Sequence, residues 1–460
     1  MKLYDTLSGA VKPLELRSPE HVDMYVCGPT VYDHPHLGHA RSSLTYDVLR
    51  RYLSWCGYEV RHVANITDID DKIIKRANEE GRSESEVATE WEAVYKDVMA
   101  ALGVLAPHDT PHATEWVAEM VAFIEELVGN DSAYVTDSGV YLRVHKVPGY
   151  CDLVHRDLAD LAESAGSRVA VDETKEDPLD FALWKAAKPG EPTWPSPWGE
   201  GRPGWHIECA AMSLGLLGDG FDLHGGGDDL VFPHHTNERA EAIGAGREFA
   251  RHWIHNAMLN VDGAKMAKSL GNFRTVGELL EEHPQNGRAF RLLVLQTHYR
   301  KTMEVNAELM ASSRTAAARL DALARRACLT RAQVVDDLEA AGNEAADAVG
   351  AFRQAMDNDM GTPEALGVIF ELVRKANASI DAGDDCSAEL SMTALKLAAV
   401  LGLEVIDETP DTEIDDLVAQ RQAAREAKDF ALADSIRDQL AEMGVVVEDT
   451  AGGCSWHRDC

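Results

Sequence analysis

A chain of 460 residues exceeds what one hydrophobic core organises, so two to four structural units are expected. Its 44 basic and 78 acidic side chains leave a formal charge of -34, which excludes capture of nucleic acid by a general positive field and confines any polyanion to local basic patches. No window approaches the roughly 18–20 uninterrupted apolar residues of a bilayer span, and no signal-length apolar run opens the chain, so a soluble cytoplasmic protein with no membrane partner is expected.

In chain order, Val22, Met24 and Val26 alternate with their neighbours as in a strand, which Gly28-Pro29 ends. From Gly38 the pattern changes: Leu44, Val48 and Tyr52 recur every four residues beside Leu49 and Leu53, predicting a helix that stops near Gly57. A second apolar run follows from Val60 to Ile66, and Asp68-Ile69-Asp70-Asp71 then opens a helix reaching about Gly81. Strand, helix, strand, helix implies a parallel sheet. Residues 110–200 read as an insertion, ending in the Pro- and Trp-rich stretch from Pro189 to Trp205. Phe221-Asp222-Leu223-His224 then resumes the sheet and empties into Gly225-Gly226-Gly227. Beyond residue 305 come Ala-rich amphipathic helices, including Ala307 to Arg326 and Pro363 to Ile380, and a last segment with a charged helix pair and the run Val445-Val446-Val447. The eight cysteines, scattered without a regular framework, suit a reducing compartment and predict no structural disulfide.

His36-Leu37-Gly38-His39 falls at the start of the first helix, where unpaired backbone N–H groups and the helix dipole favour phosphate oxygens. The two histidines share a helix face, and Gly38 admits close approach of a nucleotide. Alone, the tetrapeptide is a weak signal that reads first as surface histidines in a Gly-containing turn. About 230 residues later, Lys265-Met266-Ala267-Lys268-Ser269 lies between Val261-Asp262-Gly263 and Gly271-Asn272, a loop whose lysines can neutralise charge on an α-phosphate and departing pyrophosphate. In this order and separation the two elements resemble the paired signatures of class I aminoacyl-tRNA synthetases, with Leu37 and Ala267 departing from the usual Ile and Ser.

A third constellation is Cys27 at the strand end, Cys209 in Trp205-His206-Ile207-Glu208-Cys209, His234 and Glu238. His234 and Glu238 are four apart on one helix face, and with two thiolates they form a donor set suited to zinc. Singly, each cysteine reads as a buried thiol and His234 as a satisfied core histidine. The strings from Met24 to Asp33, Pro203 to Cys209 and His224 to His235 resemble cysteinyl-tRNA synthetases over nearly the whole chain. That resemblance implies a zinc ion held by Cys27, Cys209, His234 and Glu238, with Thr236 standing where the family commonly has Glu.

The resemblance further implies a class I Rossmann-type parallel sheet with an inserted connective subdomain, then a helical bundle and a small anticodon-binding module. The corresponding division is residues 1–115 and 201–260 for the two halves of the catalytic domain and 116–200 for the insertion. Residues 261–305 would carry the signature loop and tRNA stem contacts, 306–408 the bundle and 409–460 the anticodon module. The implied reaction joins L-cysteine to tRNA(Cys) through an adenylate, using ATP with Mg2+. His36, His39, Lys265 and Lys268 would stabilise charge, with Gly38 and Lys268 contacting ATP. Asp228 and Asp229 are expected to contact ribose or adenine, and read equally as helix caps. Trp205 is expected to wall the bound amino acid, and reads equally as a core tryptophan. A monomer is expected.

The final 156 residues hold 14 Lys and Arg against 30 Asp and Glu, so any anticodon reading there rests on a few placed contacts. The candidates are Arg421, Arg425, Lys428 and Arg437, with Trp456 expected to stack on an unpaired base. The basic cluster also reads as a solvated helix pair laced by salt bridges. Two rival functions stay open: a cysteine ligase that uses an amino-sugar acceptor, and a catalytically silent RNA-binding relative.

Overall fold

The protein is described from a computed structural model that covers residues 1–158, 160–161, 174–266, 272–335, 345–406, 412–450 and 453–458. The chain divides into two compact units: Met1–Gly277 with Thr297–Val305 and Met356–Gly361, and Glu278–Gln296 with Asn306–Ala355 and Thr362–Cys460.

The first unit opens with an antiparallel pair, β1 (Lys2–Asp5) and β2 (Ala10–Pro13). The alternating run becomes the largely buried β3 (His21–Val26), and the four-residue periodicity becomes the helix Leu37–Trp55. After β4 (Glu59–Ala64) comes the helix Asp71–Glu80, whose ends follow from its sequence. Asp70 caps it by accepting the Lys72 N–H at 2.9 Å, and Gly81 leaves it in the left-handed conformation at φ 66°. After a further helix, Glu84–Ala101, come the helix Val117–Gly129 and an antiparallel sheet in the order β5 (Ala133–Thr136), β6 (Gly139–Leu142), β7 (Phe181–Ala186), β8 (Gly201–Pro203). The chain returns through the helix Trp205–Leu217 to β9 (Leu223–Gly227) and β10 (His252–Asn256).

The central sheet has the order β10-β9-β3-β4 with every neighbour parallel, so β9, the first strand after the insertion, lies beside β3, the first strand of this sheet in chain order. The inserted sheet shares its core with the parallel one. Tyr25 and Val63 belong to the same buried cluster as Val140, Leu142 and Leu183, and as Ile207 and Met212 of the returning helix. That helix is buried on almost every face, which explains why it is apolar all round and not amphipathic.

The triple glycine, into which the strand was expected to empty, lies inside β9. A Cβ on Gly225 would sit 2.3 Å from the Tyr46 ring, so only glycine lets the helix Leu37–Trp55 press that tyrosine onto the sheet. Gly226 is one residue past the last β9–β3 pair. The Tyr46 hydroxyl accepts the Gly226 N–H at 2.6 Å and faces the Gly226 and Ile254 carbonyls at 2.8 Å, tying β9 to β10. Farther on, β11 (Leu259–Val261) and β12 (Ala264–Lys265) form a hairpin closed by Asp262 and Gly263. Both turn residues have positive φ, 52° and 78°, as a two-residue turn between twisted strands requires. β13 (Met303–Val305) runs parallel to β11.

The second unit is helical. Ala307–Arg326 is found at the expected bounds, and the helix expected over 363–380 spans Thr362–Ala382 and packs on Ser387–Val400. At its end the helices Thr412–Glu426 and Phe430–Glu442 meet a hairpin of β14 (Val445–Thr450) and β15 (Gly453–Arg458). Among the described residues no helix is long and apolar enough to cross a membrane.

Replacing Tyr46 by Phe would leave the buried Gly226 amide without its partner. We expect a loss of about 1–3 kcal/mol of stability, checked by urea unfolding; unchanged unfolding would show that water replaces the hydroxyl.

Candidate active site and metal centre

Parallel strands place their carboxyl ends, and any bound ligand, along one edge. At that edge Cys27 follows β3 and is held by its N–H donating to the Gly225 carbonyl at 3.1 Å. Its Sγ lies 3.4 Å from Glu238 Oε1, and His234 Nε2 lies 3.0 Å from the same oxygen. Cys209, in the first turns of the helix Trp205–Leu217, completes a group of four donors that all lie within 4.8 Å of one another. His234 sits in the segment Val231–His235 and Glu238 in the following helix Thr236–Gly244, so the four-residue spacing places both on one side as expected. Glu238 is fully buried. Burial pushes the Cys27 and Cys209 thiols up and His234 well below its ordinary range, so all three are neutral until a cation enters.

The fold adds partners that sequence reading passed over. His224 Nε2 is 3.1 Å from Glu238 Oε2 and 3.7 Å from Cys27 Sγ, and with His235 it forms a second, overlapping donor set that shares Cys27 and Glu238. A signal was present, since His235 directly follows the recognised ligand His234 and His224 ends the strand-like run from Phe221, but nothing in the spacing told them from core residues. Asn65, just past β4, accepts the Gly28 N–H at 2.8 Å and lies 3.6 Å from Cys209 Sγ. Its amide donates to Thr67, which donates to the buried Glu208 carboxyl at 3.1 Å. A Cβ on Gly28 would fall 1.7 Å from the Asn65 carbonyl oxygen, so this crossing of the two strand ends needs glycine. Trp205 stacks on His234 at 4.1 Å between ring centres and 18° between planes, and His206 Nδ1 is 2.9 Å from His234 Nδ1. Thr236 donates its hydroxyl to the Val231 carbonyl and takes no part in the donor set.

The second cluster begins at the N-cap His36. Its Nδ1 accepts the Gly38 and His39 N–H groups at 3.1 and 3.4 Å, while His39 Nδ1 accepts the His36 N–H at 3.2 Å. The amides expected to stand unpaired are therefore capped by His36 itself. The two rings stack at 3.7 Å, and burial holds His39 well below its usual range and neutral. With each Nδ1 accepting, both neutral rings carry the proton on Nε2 and present it as a donor. Lys265 is exposed on β12. The chain beyond its loop returns to the histidines: Leu37 donates to the Arg274 carbonyl at 3.2 Å and Val276 to that of Pro35 at 2.9 Å. Ala267 and Lys268 lie outside the described residues. Asp228 and Asp229 are exposed at the end of β9 in a single turn whose cap position is Gly227, with no side-chain cap. Loss of solvent around the Asp228 carboxyl pushes it up from its ordinary range, and the nearby buried Arg41 guanidinium offsets only part of that rise.

In the last module Trp456 does not present a free face. It is 8 % exposed and packs with Ile414, Val418, Ile436 and Leu440, because a two-helix, two-strand module this small needs its one tryptophan as core. The expected stacking of Trp456 on a base is therefore corrected. Arg421 is also buried, and Arg437 is paired with Asp434 and Asp438 at 3.2 and 3.1 Å, the salt-bridged arrangement that was the alternative reading.

Residues 13–315 match the family described as tRNA synthetases class I (C) catalytic domain, 351–405 the DALR domain, and 410–456 the cysteinyl-tRNA ligase anticodon binding domain. A cysteine–tRNA ligase of Halorhodospira halophila is 46% identical over 472 residues, covering 100% of this chain and 99% of that protein. One of Symbiobacterium thermophilum is 45% identical over 473 residues, with 100% and 99% covered. The fold is similar to Mycobacterium tuberculosis methionyl-tRNA synthetase in complex with methionyl-adenylate, with a TM-score of 0.59 at 15% identity over 84% of this chain and 90% of that one. A catalytic-domain match across most of the first unit and full-length relatives of this similarity agree with the site geometry, and the chain belongs to the cysteine–tRNA ligase family of class I tRNA synthetases.

Proposed function

We propose that the protein is a cysteine–tRNA ligase: it forms cysteinyl-adenylate from L-cysteine and ATP, releasing pyrophosphate, and passes the cysteinyl group to a terminal ribose hydroxyl of tRNA(Cys), releasing AMP. The observation that carries this reading is the buried convergence of Cys27, Cys209, His234 and Glu238. Two sulfurs, an imidazole and a carboxylate suit zinc. Ligand atoms around tetrahedral zinc are separated by roughly 3.3–3.8 Å, close to the 3.4 and 3.0 Å contacts at Glu238 Oε1. Glu238 Oε2, fully enclosed with the His224 ring 3.1 Å away but in no hydrogen-bond geometry, also fits a cation. The set with both thiols is preferred over the set with His224 and His235 because soft thiolates select zinc. Bound there, zinc would supply a soft Lewis acid for the substrate thiolate.

That chemistry suits the selection problem. Cysteine and serine differ by one atom, so shape alone discriminates poorly, whereas a hydroxyl is a much weaker partner for such a site than a thiolate. Trp205, held against His234, would cover the bound side chain. In the first step the cysteine carboxylate attacks the α-phosphate. The Nε2–H donors of His36 and His39 would meet its oxygens, while Lys265 and Lys268 offset charge on the departing pyrophosphate, with Mg2+ accompanying ATP. Gly38 keeps that helix end open to the nucleotide, and Asp228 and Asp229 would contact its ribose or base. The chain is read as a cytoplasmic monomer. The anticodon-binding match over residues 410–456 supports tRNA as the acceptor, and nothing in the comparisons supports the amino-sugar alternative.

Cysteine-dependent exchange of labelled pyrophosphate into ATP, followed by charging of bulk tRNA, tests the whole reading: both are expected with cysteine and neither with serine. Exchange without charging would move the protein to another acceptor. Lys268→Ala should abolish exchange with zinc content unchanged, and normal exchange in that variant would remove the loop from the reaction. Cys209→Ser should lower zinc content and bring cysteine and serine closer in exchange rate; metal analysis finding full occupancy would exclude Cys209 as a ligand.

A further inference from the structure

A histidine can ligate a metal through only one ring nitrogen at a time, and its other nitrogen must then carry the proton. Nε2 of His234 faces the donor set, 3.0 Å from Glu238 Oε1, so its Nδ1 is the nitrogen left over. Opposite that Nδ1, at 2.9 Å, is Nδ1 of His206. The contact is not incidental to a loose surface: His206 occupies the second position of the helix Trp205–Leu217, three residues before Cys209. The Phe181 ring meets it edge-on at 5.4 Å and 87°, and Trp205 covers His234 from the other side. The His234 ring is thus fixed by a stack on its face and by one hydrogen bond at its edge.

Resting on the zinc reading above, we propose that His206 is the positioning residue of the metal centre: it accepts the Nδ1 proton of His234 and so sets that ligand's tautomer and orientation. Without a metal, His234 can donate from Nε2 to the Glu238 carboxylate and accept at Nδ1 from His206. With a metal on Nε2, His234 donates from Nδ1 and His206 must accept, carrying its own proton on Nε2. The pair therefore reverses the direction of one hydrogen bond when the site fills, with no change in net charge. A side chain that offers an acceptor where His206 Nδ1 stands meets the requirement, and one that only fills the volume does not. The same link ties the ligand, through Phe181, to the inserted sheet.

The test compares His206→Phe, a ring without an acceptor, with His206→Asn, whose amide oxygen takes the place of Nδ1. Zinc affinity of the full chain is read by chelator competition, and the coordination sphere by the visible bands of the cobalt-substituted protein. His206→Phe should weaken zinc by about 10–100-fold and shift the cobalt bands, while His206→Asn should restore affinity to within about threefold. Equal affinity in the Phe variant and the wild type, or equal loss in both variants, would overturn the proposal. Melting of the zinc-free proteins checks folding, and if His206→Phe melts early, His206→Leu takes its place in the same comparison. Zinc-free wild type, or a His234→Ala variant that keeps full affinity, would instead overturn the metal reading on which this one rests.

Discussion

The site depends on one buried carboxylate. Glu238 is fully enclosed, with two thiols and three imidazoles as its neighbours and no lysine or arginine in ion-pair contact among the described residues. Burying such a charge costs several kcal/mol unless a cation or a dense set of donors offsets it. The surrounding groups make sense as parts of that compensation. Cys27 and Cys209 become charged only when a cation arrives, and His234 and His235, held neutral by burial, keep their lone pairs for it. Binding of a metal, loss of two protons and order at the strand ends are thereby coupled.

The fold supplies the enclosure from separate stretches of chain. β3 brings Cys27, the strand after the insertion brings the glycines and His224, and the helix between brings Trp205, His206 and Cys209. Their meeting leaves no room for a Cβ at two positions, which is why glycine stands at 28 and 225. At the first a Cβ would strike the Asn65 backbone, and at the second the Tyr46 ring. The insertion contributes to the same core and not to a separate one, so Phe181 reaches His206 from the inserted sheet. A rigid centre suits discrimination between ligands that differ by one atom, because selectivity then comes from bond type and not from adaptable shape.

The acidity of the chain constrains tRNA binding in a different way. A net charge of -34 opposes long-range attraction of a polyanion, so the complex depends on local contacts and on complementarity. In the small last module the basic residues are not all available for that purpose: Arg421 is buried and Arg437 is paired with neighbouring carboxylates. Its tryptophan holds the module together. Phe430, Leu432 and Val446 remain exposed there, while the apolar contacts that define the module are made inside.

By itself the sequence determined whatever depends on neighbours along the chain. Helix periodicity, the Asp70 cap and Gly81 stop, the Asp262-Gly263 turn, and the placement of His36 and His39 at a helix start are local, and they follow from backbone geometry that a few residues decide. The four metal-binding candidates were legible as well, since thiols, imidazole and carboxylate in the family's strings restrict the chemistry. Only the tertiary structure decided which side chains at long separation touch. His224 and His235 beside the ligands, Asn65 across from Cys209, His206 behind His234, and Trp456 turned into a core all depend on packing between elements, for which spacing along the chain carries no signal. The glycines into which the strand was expected to empty are part of the strand itself, and at Gly225 the Tyr46 ring from another element fills the space a side chain would need.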